Sequence, residues 1–97
     1  MSSMQKLMKQ AQQMQERLQR EAAATVVEAS VGGGMVAVKM SGHKQLVAVK
    51  IDPEVMDKDD PSMLEDLIVA AVNEAGRKVE ETMQGRMGAL AGLPGLF

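Results

Sequence analysis

The residues TVVEASVGGGMVAVKMSGHKQLVAVKI, at positions 25–51, decide the fold. Thr25–Val31 is rich in β-branched side chains, at Thr25, Val26, Val27 and Val31, and Gly32-Gly33-Gly34 interrupts it. Met35–Met40 alternates, with Val36, Val38 and Met40 on one face and Lys39 on the other. Ser41-Gly42-His43-Lys44 reads as a turn, in which Gly42 tolerates a positive φ. Gln45–Ile51 then places Val47, Val49 and Ile51 on one face and Leu46, Ala48 and Lys50 on the other. Connections this short hold no parallel crossover, so residues 25–51 predict a three-stranded antiparallel meander.

Upstream, the period changes from two to that of a helix. Met4, Leu7, Ala11, Met14 and Leu18 recur at spacings of three and four, and Met8 widens the stripe. Gln, Lys, Arg and Glu fill the remaining positions without Gly or Pro, which predicts a helix over 2–22, about 30 Å long. Little more than two heptads of this seam are present. It suits a helix packed on its own domain, or one that projects and pairs with another chain. Downstream, Asp52-Pro53 ends the sheet and Glu54–Asp60 forms an acidic connection. A second helix is predicted over 61–84, with Pro61 at its first position and Ser62 and Glu65 at capping-box spacing. Leu64, Leu67, Ile68, Ala71, Val72, Ala75, Val79 and Met83 give it a wide apolar face that would cover a sheet. Gly76 within that helix suggests close approach of another backbone. Residues 85–97, with Gly85, Gly88, Gly92, Pro94 and Gly95, predict a flexible tail.

The whole, 1–97, is the size of one small domain, of α+β class and α-β-β-β-α order. Its single aromatic residue is Phe97, and ten methionines fill part of that gap. A chain of this length buries only roughly 60–65% of its unfolded surface, so an aromatic-poor core is thin. Without cysteine it has no disulfide to add, and no thiol nucleophile or Cys-based zinc site. A partner chain is the remaining remedy, which makes oligomerisation the first expectation. The opening MSSMQKLMKQ lacks a signal-like apolar run, and no segment approaches the ~20 apolar residues of a membrane span. The expectation is a cytoplasmic protein that does not engage membranes.

The net charge of −2 conceals an asymmetry. Residues 1–51 hold seven basic against three acidic side chains, net +4, and residues 52–97 hold four against ten, net −6. On the first helix Lys6 and Lys9 are three apart, as are Arg17 and Arg20, and the two pairs align at about 16 Å separation. Such a row suits a phosphate backbone, with Gln5, Gln10, Gln12, Gln13, Gln15 and Gln19 adding hydrogen-bonding groups. No aromatic residue interleaves for base stacking. Elsewhere the chemistry is sparse. His43 is the only histidine, and beside Lys44 in a turn it reads as a solvated loop residue. Gly32-Gly33-Gly34 joins two strands and precedes no Gly-Lys-Ser/Thr, so it reads as a hairpin and not a phosphate loop. Asp57, Asp59 and Asp60 start like a calcium loop, but Ser62 and Ile68 stand where its Gly and Glu belong. No enzymatic activity, catalytic residue, cofactor, metal site or small-molecule substrate is expected.

LMKQAQQMQERLQ (7–19), the meander, IDPEV (51–55) and MLEDLIVAAVNEAGRKVEETM (63–83) together resemble the bacterial YbaB/EbfC nucleoid-associated proteins across essentially the whole chain. That resemblance implies an intertwined homodimer whose N-terminal helices project like tweezer arms. It also implies DNA binding without enzymatic activity, in the nucleoid, with possible effects on nucleoid organisation and gene expression. Lys6, Lys9, Arg17 and Arg20 are the arm cations to which DNA contact is carried over. Relatives often carry a longer Gly-rich leader before the helix, and any contact from such a leader is not expected here. The alternative is a structural adaptor that binds a protein partner through its Met/Leu-rich N-terminal helix.

Overall fold

The computed structural model describes residues 2–91, with side chains through Arg86. Helix α1 (Ser3–Ala24) starts from a capping box: the Ser2 hydroxyl accepts the Gln5 N–H at 3.2 Å, and the Ser2 N–H donates to Gln5 Oε1 at 3.4 Å. It runs two residues beyond the predicted 22 because Ala23 and Ala24 continue it without cost. Thr25 is extended, and its hydroxyl donates to the Glu21 carbonyl at 2.7 Å, closing the helix as β-branched sequence begins.

Strands β1 (Val26–Val31), β2 (Val36–Ser41) and β3 (Leu46–Ile51) form the predicted antiparallel sheet in the order β1-β2-β3. Val26 lies opposite Ser41 and Val31 opposite Val36; Val36 in turn lies opposite Ile51. Gly32, Gly33 and Gly34 all have positive φ, at 63°, 67° and 95°, and form a left-handed turn between β1 and β2, in which the Met35 N–H donates to the Gly32 carbonyl at 3.4 Å. Three consecutive residues in that region require glycine. The register shifts between Lys39 and Met40, so that Ala48 opposes Lys39 and Leu46 opposes Met40. This irregularity breaks the strict alternation predicted along β3.

The β2–β3 turn differs from expectation. Its positive-φ residue is Lys44, at 62°, and not Gly42. Gly42 is needed for a different reason. Its N–H donates to the Ala22 and Thr25 carbonyls, each at 3.0 Å, and a Cβ there would stand 2.6 Å from the Ala22 oxygen. The turn therefore presses directly on the last turn of α1.

Helix α2 (Pro61–Ala91) covers β1 and β2. The core is Ala29, Val36, Val38 and Met40 from the sheet, with Ala71, Ala75 and Val79 from α2. Val27, Val31, Leu64, Leu67, Ile68, Val72 and Met83 surround it. Three of the seven central side chains are alanines, so helix and sheet approach closely but bury little volume. Only Ile51 of β3 is half-buried; Leu46, Val47 and Val49 are exposed.

Two expectations for α2 are corrected. Its helix continues seven residues past Gln84, through Gly85 and Gly88, to Ala91. An isolated glycine costs a helix only about 1 kcal/mol, and the good helix formers between these glycines carry it through. The rest of the predicted tail, 92–97, lies outside the described residues. Ser62 does not cap the helix: it sits inside it and donates its hydroxyl to Asp60 Oδ1 at 2.6 Å. Beyond the adjoining turns of α2 itself, nothing among the described residues comes within 4 Å of the position of a Cβ on Gly76, so no other element of the described chain approaches that glycine closely.

Gly42→Ala should destabilise the fold by about 1–3 kcal/mol, because backbone on both sides of the contact leaves little room to relax. Thermal unfolding followed by circular dichroism measures it, and an unchanged midpoint would refute the contact.

Candidate nucleic-acid interface

Only the base of α1 is packed. Leu18 is half-buried and Ala22 is buried, whereas every residue from Ser2 to Arg17 is exposed. Met4, Leu7 and Met8 expose 70%, 65% and 62% of their surface, values that place them on no neighbouring element. The stripe that could have packed on its own domain is bare, and the helix projects.

Lys6, Lys9, Arg17 and Arg20 are all exposed on this projecting segment. At about 100° per residue the four fall within an arc of about 80°, and the apolar stripe is centred roughly 150° away round the helix. The structure thus brings all four predicted cations onto one ridge. They are not equivalent. Arg17 Nε donates to Glu21 Oε1 at 3.2 Å, an i,i+4 pair. Among the described residues, Lys6, Lys9 and Arg20 form no ion pair. The i,i+4 spacing of Arg17 and Glu21 is visible in the sequence and is the signal that would have revealed this pairing.

The body carries the opposite sign. Lys44 is bound to Glu80, and Arg77 to both Glu74 and Glu81, so two body cations are locally neutralised. The hydrogen bond and charge of Lys44 hold the Glu80 carboxyl below the usual carboxylate range. Those of Arg77 do the same for Glu74. Both carboxylates stay ionised and keep the outer face of α2 acidic. On the uncovered face of the sheet, Lys39 and Lys50 flank Ala37 and Ala48, and Lys39 stands opposite Glu28. The pairing of Lys44 with Glu80, 36 residues apart, could not be read from the sequence.

The remaining sequence features have local roles. His43 is exposed, and its backbone N–H donates to the Ser41 hydroxyl at 3.3 Å. Asp57 Oδ1 accepts the Asp59 N–H at 2.9 Å, forming a turn that leads into α2. Among the described residues no group of three or more His, Asp or Glu side chains is arranged to hold a metal ion. No described helix is long and apolar enough to cross a membrane.

A basic helix standing clear of an acidic body is the charge layout of a polyanion-binding module. The chain belongs to the YbaB/EbfC DNA-binding family, whose model matches residues 1–93. It is 52% identical to a nucleoid-associated protein of Acidobacterium capsulatum, over 97% of this chain and 95% of that protein. It is 53% identical to one from Koribacter versatilis, over 92% and 91% of the two chains. A third, from Chloroflexus aurantiacus, is 48% identical over 94% and 95%. The fold is also that of HP0035, an uncharacterized protein from Helicobacter pylori, with a TM-score of 0.77 and 23% identity over 95% and 99% of the chains. The family is one of nucleoid-associated DNA-binding proteins and not of enzymes.

Glu21→Gln should free Arg17 while changing thermal stability by less than about 0.5 kcal/mol, as for other exposed i,i+4 pairs. Duplex DNA binding at low salt should tighten. Weaker binding by a folded variant would show that the Glu21 carboxylate serves the interface.

Proposed function

We propose that this protein binds duplex DNA as a homodimer, mainly through phosphate contacts from Lys6, Lys9, Arg17 and Arg20 on two projecting α1 helices. The observation that carries the proposal is the ridge itself: four exposed cations on one side of a helix that its own body leaves free. Phosphate contacts supply affinity and position without reading sequence directly. The acidic face of α2 repels a polyanion and so orients the arms toward it. The site of action is the nucleoid of the cytoplasm, where such binding would bear on nucleoid organisation and gene expression. No small molecule takes part.

The dimer is supported by what one chain leaves uncovered. Val47, Val49 and Leu46 on β3, and Val69 on α2, expose 59%, 45%, 47% and 60% of their surface. Gly76 opens onto a groove lined by Met40 and Val72 and by the polar side chains of Lys44, Asn73, Arg77 and Glu80, with room for a second backbone. The Met4-Leu7-Met8 stripe of α1 adds further apolar side chains that this chain leaves exposed. An adaptor function would use the same stripe for a foreign protein; the salt dependence of DNA binding separates the two readings.

Two measurements test the proposal. Sedimentation equilibrium at low micromolar concentration should give about twice the chain mass of 10.4 kDa, and a folded monomer there would refute the dimer. Raising salt from 50 to 200 mM should weaken DNA binding by about 10²–10³-fold if four to six phosphates are engaged at once. Lys6→Gln with Lys9→Gln should lower the salt slope by about two to four units per dimer and weaken binding to all sequences alike. An unaltered slope in a helical variant would remove α1 as the DNA-contacting surface.

A further inference from the structure

The four cations of α1 are arranged symmetrically about one uncharged residue. Lys6 and Lys9 precede Gln13 by seven and four positions, and Arg17 and Arg20 follow it by four and seven. Those offsets return to the same side of an α-helix, so Gln13 lies at the centre of the ridge both along its length and across its width. Gln13 is exposed. The hydrogen bonds made by α1 side chains to other side chains, among the described residues, are those of Arg17 with Glu21, and Gln13 makes none. Of the other arm glutamines, only Gln10 borders the ridge; Gln5, Gln12, Gln15 and Gln19 lie well round the helix.

The dimensions match a specific docking. At about 100° per residue, Lys9 and Arg20 stand about 40° and about 20° to one side of Gln13, and Lys6 and Arg17 about 20° and about 40° to the other. The major groove of B-DNA, about 12 Å wide and about 8.5 Å deep, admits an α-helix lying within it. With Gln13 turned to the groove floor, the flanking cations extend toward the phosphates of the two strands and Gln13 meets the base edges. Glutamine is suited to that position. Its Oε1 accepts from adenine N6 while its Nε2 donates to adenine N7, a bidentate match that no other base offers in the same sense.

We infer that Gln13 is a specificity-determining residue that reads an adenine in the major groove at the centre of each arm's footprint. The inference rests on α1 being the DNA-contacting helix, and it adds direct base readout to a surface otherwise confined to phosphates. Gln10, at the border of the ridge, contributes at most a neighbouring contact.

The test is selection of binding sites from a randomised duplex library by the full chain and by Gln13→Ala, followed by titration of the enriched duplex against the unselected pool. Alanine keeps the helix. The wild-type protein should enrich an adenine-containing site and bind it about 5–100-fold tighter than the pool. Gln13→Ala should keep the wild-type salt slope, which the cations set, but lose the enrichment. Replacing the selected adenine by 7-deaza-adenine, which lacks the N7 acceptor, should weaken the wild-type complex and leave the variant unaffected. Wild-type protein that enriches no site, or a variant that enriches the same one, overturns the inference while a preserved salt slope leaves the phosphate contacts standing. Loss of salt-dependent binding in both proteins would overturn the phosphate contacts and the Gln13 readout together.

Discussion

The projecting helix is attached to its body through one tight contact, and its direction depends on it. Gly42, in the turn between β2 and β3, donates its N–H to the carbonyls of Ala22 and Thr25. The missing Cβ lets the turn reach the helix backbone. Around this contact Ala22 is buried, Leu18 is half-buried, and the Arg86 guanidinium approaches the Glu21 carbonyl at 3.5 Å. These groups add to the Thr25 N–H, which donates to the same Glu21 and Ala22 carbonyls at the end of α1. A rigid root matters because α1 is about 33 Å long, so a small change of angle at Ala22 moves Lys6 by many ångströms.

The thinness of the core follows from the same economy of side chains. Alanine at positions 29, 71 and 75 lets α2 lie close to β1 and β2, but it contributes little apolar area. α2 is aligned with two strands only, and β3 is left as an edge whose apolar side chains face water. Exposed apolar edges of this kind invite pairing with another chain. The chain therefore spends its helical surface on length and its sheet on only one covered face, an arrangement that suits assembly better than solitary stability.

Elements with a clear period were legible in the sequence. The alternation of Val36, Val38 and Met40 gave the buried face of β2, and the spacing of Leu64, Ala71, Ala75 and Val79 gave the buried face of α2. What escaped was local chemistry that depends on three-dimensional neighbours. The role of Gly42 lies in the proximity of Ala22, twenty positions away, and no turn rule contains that distance. The end of α2 was misplaced because Gly85 and Gly88 weaken a helix without stopping it. The four cations of the ridge were legible because helical periodicity alone brings them together. The Arg17–Glu21 pair that makes them unequal was legible by the same i,i+4 rule, whereas the pairing of Lys44 with Glu80 was not, because 36 residues separate the two.

α1 carries two faces with opposite requirements. Its Met/Leu stripe loses free energy in water, and its cations are useful only while they remain in it. A helix packed lengthwise on its own body would satisfy the stripe but bring the ridge close to a body of net negative charge, whose carboxylates compete with phosphate for the same lysines and arginines. Projection removes that competition and leaves the stripe uncovered. In the proposed dimer a second chain covers part of the apolar surface and fixes which way the opposite face of each arm points. The orientation of the ridge is then set by burial roughly 150° away on the same helix. Assembly and DNA binding become two consequences of one amphipathic pattern, so a substitution in the apolar stripe can redirect the cations without altering any of them.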